Sequence, residues 1–258
     1  MALDPSHGAY VGKLLTVSGP MAVALAAQLR EGTKKSHTMA ENTGFVSCFL
    51  KGVVDKLSYR KLVADLYFVY EAMEEEMHRL KDHPVLAPIA FEQLDRRQAL
   101  EEDLTFYFGA DWRNQVETSP AAKEYVARIR EIAQSSPELL VGHHYTRYLG
   151  DLSGGQILKT IAQKAMNNPT DDGLHFYVFP QIEDEKAFKT TYRSAMDELP
   201  IDQPMADRIV EEAHHAFHLN MKMFQELEGN LVAAIGKVLF GFLTRRQRTG
   251  STEEAVAA

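Results

Sequence analysis

Cysteine is almost absent: Cys48 alone stands in 258 residues. One thiol excludes an intrachain disulfide, and it excludes any zinc or iron–sulfur centre built on cysteines. Cys48 lies in the apolar run FVSCFL, where a buried thiol is expected, and the composition suits a reducing compartment. Long apolar runs are missing too. The most apolar late stretch, Leu231 to Leu243, is interrupted by Lys237 and falls short of the ~20 residues a span needs, so no membrane anchor is expected. Basic charge is in deficit: 28 Lys and Arg against 36 Asp and Glu leave a net charge of −8. That argues against nucleic-acid binding, which needs a basic face to displace counterions. It leaves room for an acidic partner that meets a local basic patch.

No Gly/Ser/Pro-rich linker divides the chain, which favours a single domain over 21–244. Residues 1–20 read as a flexible leader or an added remnant with no signal-peptide pattern. Residues 245–258 read as a polar tail.

What is present is helical periodicity. A first helix is predicted from Val23 to Asn42, with Leu25, Leu29, Thr33, His37 and Ala40 near one inward face. FVSCFLKGVV follows as a second apolar piece. Ser58 is a candidate N-cap for a helix carrying Leu62, Leu66, Tyr70, Met73 and Met77 and ended by Pro84. Further helices are expected over Phe91 to Phe108, from the cap Ser119-Pro120 to Pro137, and from Glu138 to Met166. After a loop whose LHFYVF core could be extended, two more run over Glu185 to Leu199 and Met205 to Leu243. The class is all-α, packed around one core.

Gly150, Gly154 and Gly155 interrupt a helix interior, at ~1 kcal/mol each relative to alanine. Two readings account for them. They let a bent backbone approach a flat ligand with no side chain between, or Gly150 and Gly154 let two helices pack closely. Around them, Tyr145, Arg147 and Asp151 could build a hydrogen-bond network. By charge pattern alone, Arg147 and Asp151 at i,i+4 make a surface salt bridge.

Of ten histidines, most read blandly, including His83 before a proline and His143-His144 at a helix start. His37 is more suggestive: Lys34 and Lys35 precede it and Glu41 lies one turn on. An axial haem ligand needs an acceptor for its second ring nitrogen, and Glu41 is placed to serve. A lone histidine on an apolar face is nonetheless more often a core residue than a ligand. Glu75-x-x-His78, Glu211-x-x-His214 and Glu212-x-x-His215 match the Glu-x-x-His pattern of di-iron carboxylate bundles, while charge-rich solvated faces produce the same spacing.

REGTKKSHTMAEN and HHYTRYLGDLSGGQILKTIAQKAM, with AFKTTYRSAM and VEEAHHAFHLNMKMFQELE, closely resemble the biliverdin-producing haem oxygenases of the soluble cyanobacterial and algal type. The resemblance runs from about Met21 to Leu243. It implies an all-α fold in which haem b, both substrate and cofactor, is sandwiched between a proximal helix and a glycine-kinked distal helix. It implies His37 as the iron ligand with Glu41 beside it, and Gly150, Gly154 and Gly155 in the bent distal helix. Asp151 would order water, with Tyr70 and Arg147 as further members of the network. Arg30, Lys34, Tyr145, Lys189 and Arg193 would grip the propionates, and Phe217 and Asn220 would form the far wall. The implied reaction consumes O2 and electrons, opens the α-meso carbon to biliverdin IXα, and releases CO and ferrous iron. No flavin or nicotinamide fingerprint is present, so the reductant is external. By resemblance it is ferredoxin, docking on Arg30, Lys34, Lys35, Lys189 and Arg193, with a bilin reductase downstream and a cytoplasmic or plastid-stromal location. A non-haem di-iron oxygenase and a non-catalytic haem carrier are the competing readings.

Overall fold

The computed structural model describes residues 23–54 and 56–248, with side chains only as far as Glu228. The expected leader and residues 249–258 of the expected tail lie outside the described residues, as do the side chains of Leu231 to Leu243. Among the described residues there is no strand, and no helix is long and apolar enough to cross a membrane. The principal helices are α1 (Leu25–Glu41), α2 (Gly44–Leu50), α3 (Lys56–Arg79), α4 (Arg97–Phe108), α5 (Pro120–Ser135), α6 (Leu140–His144), α7 (Gly150–Met166), α8 (Glu185–Asp197) and α9 (Gln203–Arg248). Helix α9 is the spine: α1, α2, α3, α5 and α6 all pack on it. One core runs through the bundle, with Tyr70, Met73, Leu100, Ile129, Leu140 and Ile209 at its centre, each fully buried.

Local chemistry explains where elements begin. Ser119 caps α5 as expected, its Oγ accepting the Ala122 N–H at 3.1 Å, with Pro120 at the first position. Ser58 is not a cap: α3 starts at Lys56 and Ser58 is buried within its first turn. The same helix ends at Arg79, before Pro84. The helix expected from Phe91 begins at Arg97, because the Glu74 carboxylate of α3 takes the N–H groups of Arg96 and Arg97 at 2.6 and 3.2 Å. A tertiary contact thus starts α4. The LHFYVF segment forms a 3₁₀ turn at His175–Tyr177, since one carboxylate, Asp103, collects the N–H groups of His175 and Phe176 at 2.8 and 2.9 Å.

The helix expected to run unbroken from Glu138 to Met166 is segmented. A π-helical turn, Tyr145–Leu149, joins α6 to α7. An i→i+5 turn widens the backbone and re-aims the helix that follows it. Just upstream, Gly142 is in backbone contact with α9: a Cβ there would stand 2.8 Å from the Ile209 carbonyl oxygen. Close packing at Gly142 pins α6, and the π turn redirects the chain into α7.

Candidate active site

A cavity of about 600 Å³ opens between α1 on one side and the π turn with α7 on the other. Its size suits a cofactor or a sizeable ligand. Helix α2 supplies Phe45 and Phe49 to its apolar wall, α3 supplies Leu62 and Leu66, and the 3₁₀ turn supplies Phe176 and Tyr177.

His37 stands on the α1 wall. It is not packed inward as its helical spacing implied; the side chain is 59% exposed and faces the open cavity. The Phe217 ring holds it edge-on, centroids 6.0 Å apart. Glu41 Oε1 lies 3.7 Å from His37 Nδ1, an ion-pair distance longer than a hydrogen bond.

Across the cavity, Gly150 and Gly154 both line the α7 wall, and a Cβ built on either meets nothing within 4 Å. Close helix–helix packing is therefore not their role; they leave bare backbone facing open space. Gly155 differs, for its Cβ would touch Tyr177 Cδ1 at 3.4 Å, so it admits a neighbouring ring as well as lining the cavity.

Asp151 carries the polar chemistry of this wall. Tyr70 donates its hydroxyl hydrogen to Asp151 Oδ2. Arg147 Nε donates to the Tyr70 oxygen at 3.0 Å, and Arg147 Nη1 to Asn220 Oδ1 at 2.6 Å. Arg147 Nη2 stands 3.8 Å from Asp151 Oδ1, and both side chains are about nine-tenths buried. The surface salt bridge suggested by charge spacing is thus an interior network. Burial raises the Asp151 carboxyl above its ordinary range, although Arg147, the Tyr70 hydroxyl and Arg96 favour its anion. Burial alone would depress the Arg147 guanidinium, but Tyr70, Asp151 and Tyr125 hold it above its usual value. Tyr70 itself lies behind the wall, fully buried, and Asn220 reaches both the cavity and Arg147.

The rim is basic. Arg30, Lys34, Arg193 and Tyr145 line it. Lys34 Nζ is drawn 2.7 Å from Glu31 Oε2. Lys189 is the one expected rim residue that does not line the cavity; its Nζ approaches the Leu152 carbonyl at 3.4 Å.

Two carboxylates of the Glu-x-x-His motifs, Glu75 and Glu212, are engaged elsewhere. Glu75 pairs with Arg130 and Arg97. Glu212 is no solvated-face residue: it is buried, accepting two bonds from Arg128 at 3.0 and 2.6 Å and lying 2.8 Å from His143 Nε2. His214 Nδ1 lies 2.8 Å from Ser36 Oγ. Among the described residues, no group of three or more His, Cys, Asp or Glu is arranged to hold a metal. Sequence spacing missed the buried cation Arg96 and the buried imidazole His143, and it placed Arg147 at the surface. Arg96 bonds the carbonyls of Leu94, Phe176 and Val178 at 2.9, 3.3 and 2.5 Å and so fastens the 3₁₀ turn. The long-range partners that hold these three inside are 69 to 82 residues distant, beyond the reach of local spacing.

The cavity fits a flat macrocycle with a metal centre. It has apolar walls, one imidazole on one face, bare glycine backbone on the other, and cations at the rim for acidic substituents. Comparison with known proteins agrees. The family model described as heme oxygenase matches residues 23–226. Heme oxygenase 1 of Synechocystis sp. is 65% identical over 92% of this chain and 98% of its own length. Heme oxygenase 1 of Nostoc sp. is 62% identical over 92% of this chain and its full length. The crystal structure of the Synechocystis heme oxygenase-1 in complex with heme superposes with a TM-score of 0.84 at 66% identity, covering 86% of this chain and all of that one. The chain therefore belongs to the heme oxygenase family, and it is an all-α haem-degrading enzyme for which haem is substrate and prosthetic group together.

Proposed function

We propose that this enzyme opens haem at the α-meso carbon, consuming O2 and reducing electrons and releasing biliverdin IXα, CO and ferrous iron. Bound haem supplies the iron that activates oxygen and the ring that is oxidised. The observation that carries the reading is the α7 wall: bare backbone at Gly150 and Gly154, with Asp151 and its partners recessed beside it.

His37 would hold the iron from the α1 side, with Glu41 near its second nitrogen. Arg30, Lys34, Tyr145 and Arg193 would hold the propionates and so fix the rotation of the ring. Gly150 and Gly154 place no acid–base side chain against the reacting edge. With the ring in place, the bare backbone would leave room beside it for a small ligand. Asp151 acts through water. Its carboxylate is tied on one oxygen by Tyr70, and Arg147 flanks the other at 3.8 Å, so it would orient a water molecule and exchange a proton with it, taking one up as the carboxylate and returning it as the acid, without itself touching the ring. Arg147 and Asn220 keep the network in one arrangement.

Electrons would come from ferredoxin, docked at the basic rim, and a bilin reductase would take the product. Those partners place the enzyme in a cytoplasm or a plastid stroma. One optical experiment tests the reading. The protein is titrated with haemin, then supplied with ferredoxin, its reductase and NADPH in air. A sharp Soret band that decays as a broad red bilin band rises is the expected result. A Soret band that persists would point to a carrier or to a mismatched donor, and absence of any Soret band would overturn haem binding itself.

A further inference from the structure

Among the described residues, three buried side-chain polar atoms have no hydrogen-bond partner: Arg60 Nε, Tyr125 Oη and His143 Nδ1. Two of the three belong to rings in contact. Tyr125 and His143 are both fully buried, with centroids 5.4 Å apart and planes inclined by 50°.

Their chemistry is complementary. His143 Nε2 lies 2.8 Å from Glu212 Oε1. Burial would raise the Glu212 carboxyl, but the bonds from His143 and Arg128 bring it down to about 2, so Glu212 is a carboxylate. A carboxylate only accepts, so the proton sits on Nε2. Burial keeps the imidazole neutral by lowering its pKa. Nδ1 is then a bare acceptor. Tyr125 has a hydroxyl hydrogen to place. An acceptor without a donor thus lies beside a donor without an acceptor, both out of reach of bulk solvent. Buried polar groups of this kind are normally satisfied, by an internal water where protein atoms do not serve.

The position of Tyr125 links this pair to the active site. Its phenol is pushed up by burial above all, and the charges of Arg147, Asp151 and Glu212 all reach it. His143 and Arg147 are four residues apart on the continuous helical path of α6 and the π turn.

We infer that one water molecule joins Tyr125 Oη to His143 Nδ1, and that His143 and Glu212 are positioning residues for the network of Arg147, Tyr70 and Asp151. The polarity runs in one direction. Glu212 holds the hydrogen of His143 on Nε2, and the water donates to Nδ1. The Tyr125 hydroxyl then donates to the water, and the charge of Arg147 is felt at the phenol. The functional half of this inference rests on the role proposed for Asp151.

Tyr125→Phe tests it through a change of sign. Without a bridge, the variant discards an unsatisfied hydroxyl and the haem-free protein gains stability. With a bridge, it strands the water and His143, and the urea midpoint of the haem-free protein falls, which is the expected result. A midpoint that rises or stays put overturns the bridge. The tautomer gives a second readout: nitrogen NMR of His143 is expected to show hydrogen on Nε2, and hydrogen on Nδ1 overturns the assigned polarity. For positioning, Tyr125→Phe and Glu212→Gln are each expected to lower kcat several-fold while the haem Kd stays unchanged. A lowered midpoint with an unaltered kcat would keep the bridge and overturn positioning. If Asp151→Asn also leaves kcat unaltered, the fault lies with the role of Asp151 and not with the bridge.

Discussion

Replacing Gly154 with alanine sets two effects against each other at one atom. In the haem-free protein the new methyl meets nothing within 4 Å, so only helix propensity changes. That favours the variant by ~1 kcal/mol, or roughly 2–4 °C in Tm for a chain of this size. With haem against the α7 wall, the same methyl lies where the ligand must, at an overpacking cost of ~1–3 kcal/mol and hence about tenfold in affinity. Gly154→Ala is therefore expected to melt higher without haem and to bind haemin more weakly, as read by calorimetry and Soret titration. Undiminished affinity would remove the glycine from the proposed cradle. Asp151→Asn separates binding from chemistry. Asn keeps the shape but cannot hold or release the proton, so haem should bind normally while bilin formation falls ~10²-fold or more. Normal turnover would exclude Asp151 from proton delivery. Most of the residues of this wall were legible in the sequence. Their burial was not, because Arg147 owes its interior place to Tyr70 and Asn220, 77 and 73 residues away, and i,i+4 spacing reports only the helix surface.

At the scale of elements, the helices were legible but several of their starts were not. Ser119 is a local cap, visible as Ser-Pro, and Ser119→Ala is expected to cost ~1 kcal/mol in urea unfolding. Other starts depend on carboxylates from afar. Asp197 accepts from the Ala26 N–H at the head of α1 at 2.8 Å, and Glu228 from the Gly44 N–H at the head of α2 at 2.7 Å. Helices α1 and α2, which with α9 form the His37 side of the cavity, are thus started by tertiary contacts. Glu74 does the same for α4 and adds a pH dependence. Burial lifts its carboxyl from 4.5 to about 7, against the N–H groups of Arg96 and Arg97 and the Tyr148 hydroxyl, which favour the anion. A raised value means that folding favours the protonated form. Its contribution is complete below about pH 4.5 and is lost as pH rises through about 7. Glu74→Gln deletes this titration. Relative to the parent, the variant should gain stability between about pH 4.5 and about pH 7.5, by on the order of 3 kcal/mol at most. Urea unfolding of both proteins across that range decides it, and a constant difference would show that Glu74 does not titrate there.

At the scale of the molecule, a net charge of −8 coexists with cations gathered at the cavity rim. The average charge says only that the chain repels acidic proteins at long range; the rim says where one can nonetheless approach. Its cations are not equivalent. Lys34 is tied to Glu31, Lys189 is turned to the Leu152 carbonyl, and Arg30 and Arg193 face the cavity. Lys35 is exposed on α1 beside them, and it belongs to the outer surface rather than to the haem pocket. A docked acidic donor would therefore feel Lys35 without haem feeling it. Steering of this kind acts on association rate and decays over a Debye length of about 10 Å at 0.1 M salt. Lys35→Glu should leave haemin affinity unaltered and leave turnover with a small uncharged reductant unaltered. Ferredoxin-driven turnover should fall about tenfold at low ionic strength, and the deficit should close as salt is raised. A deficit that persists at high salt would mean that Lys35 acts through the fold of α1. No deficit at all would move the docking face away from this rim, and the donor would then have to reach haem past the acidic remainder of the surface.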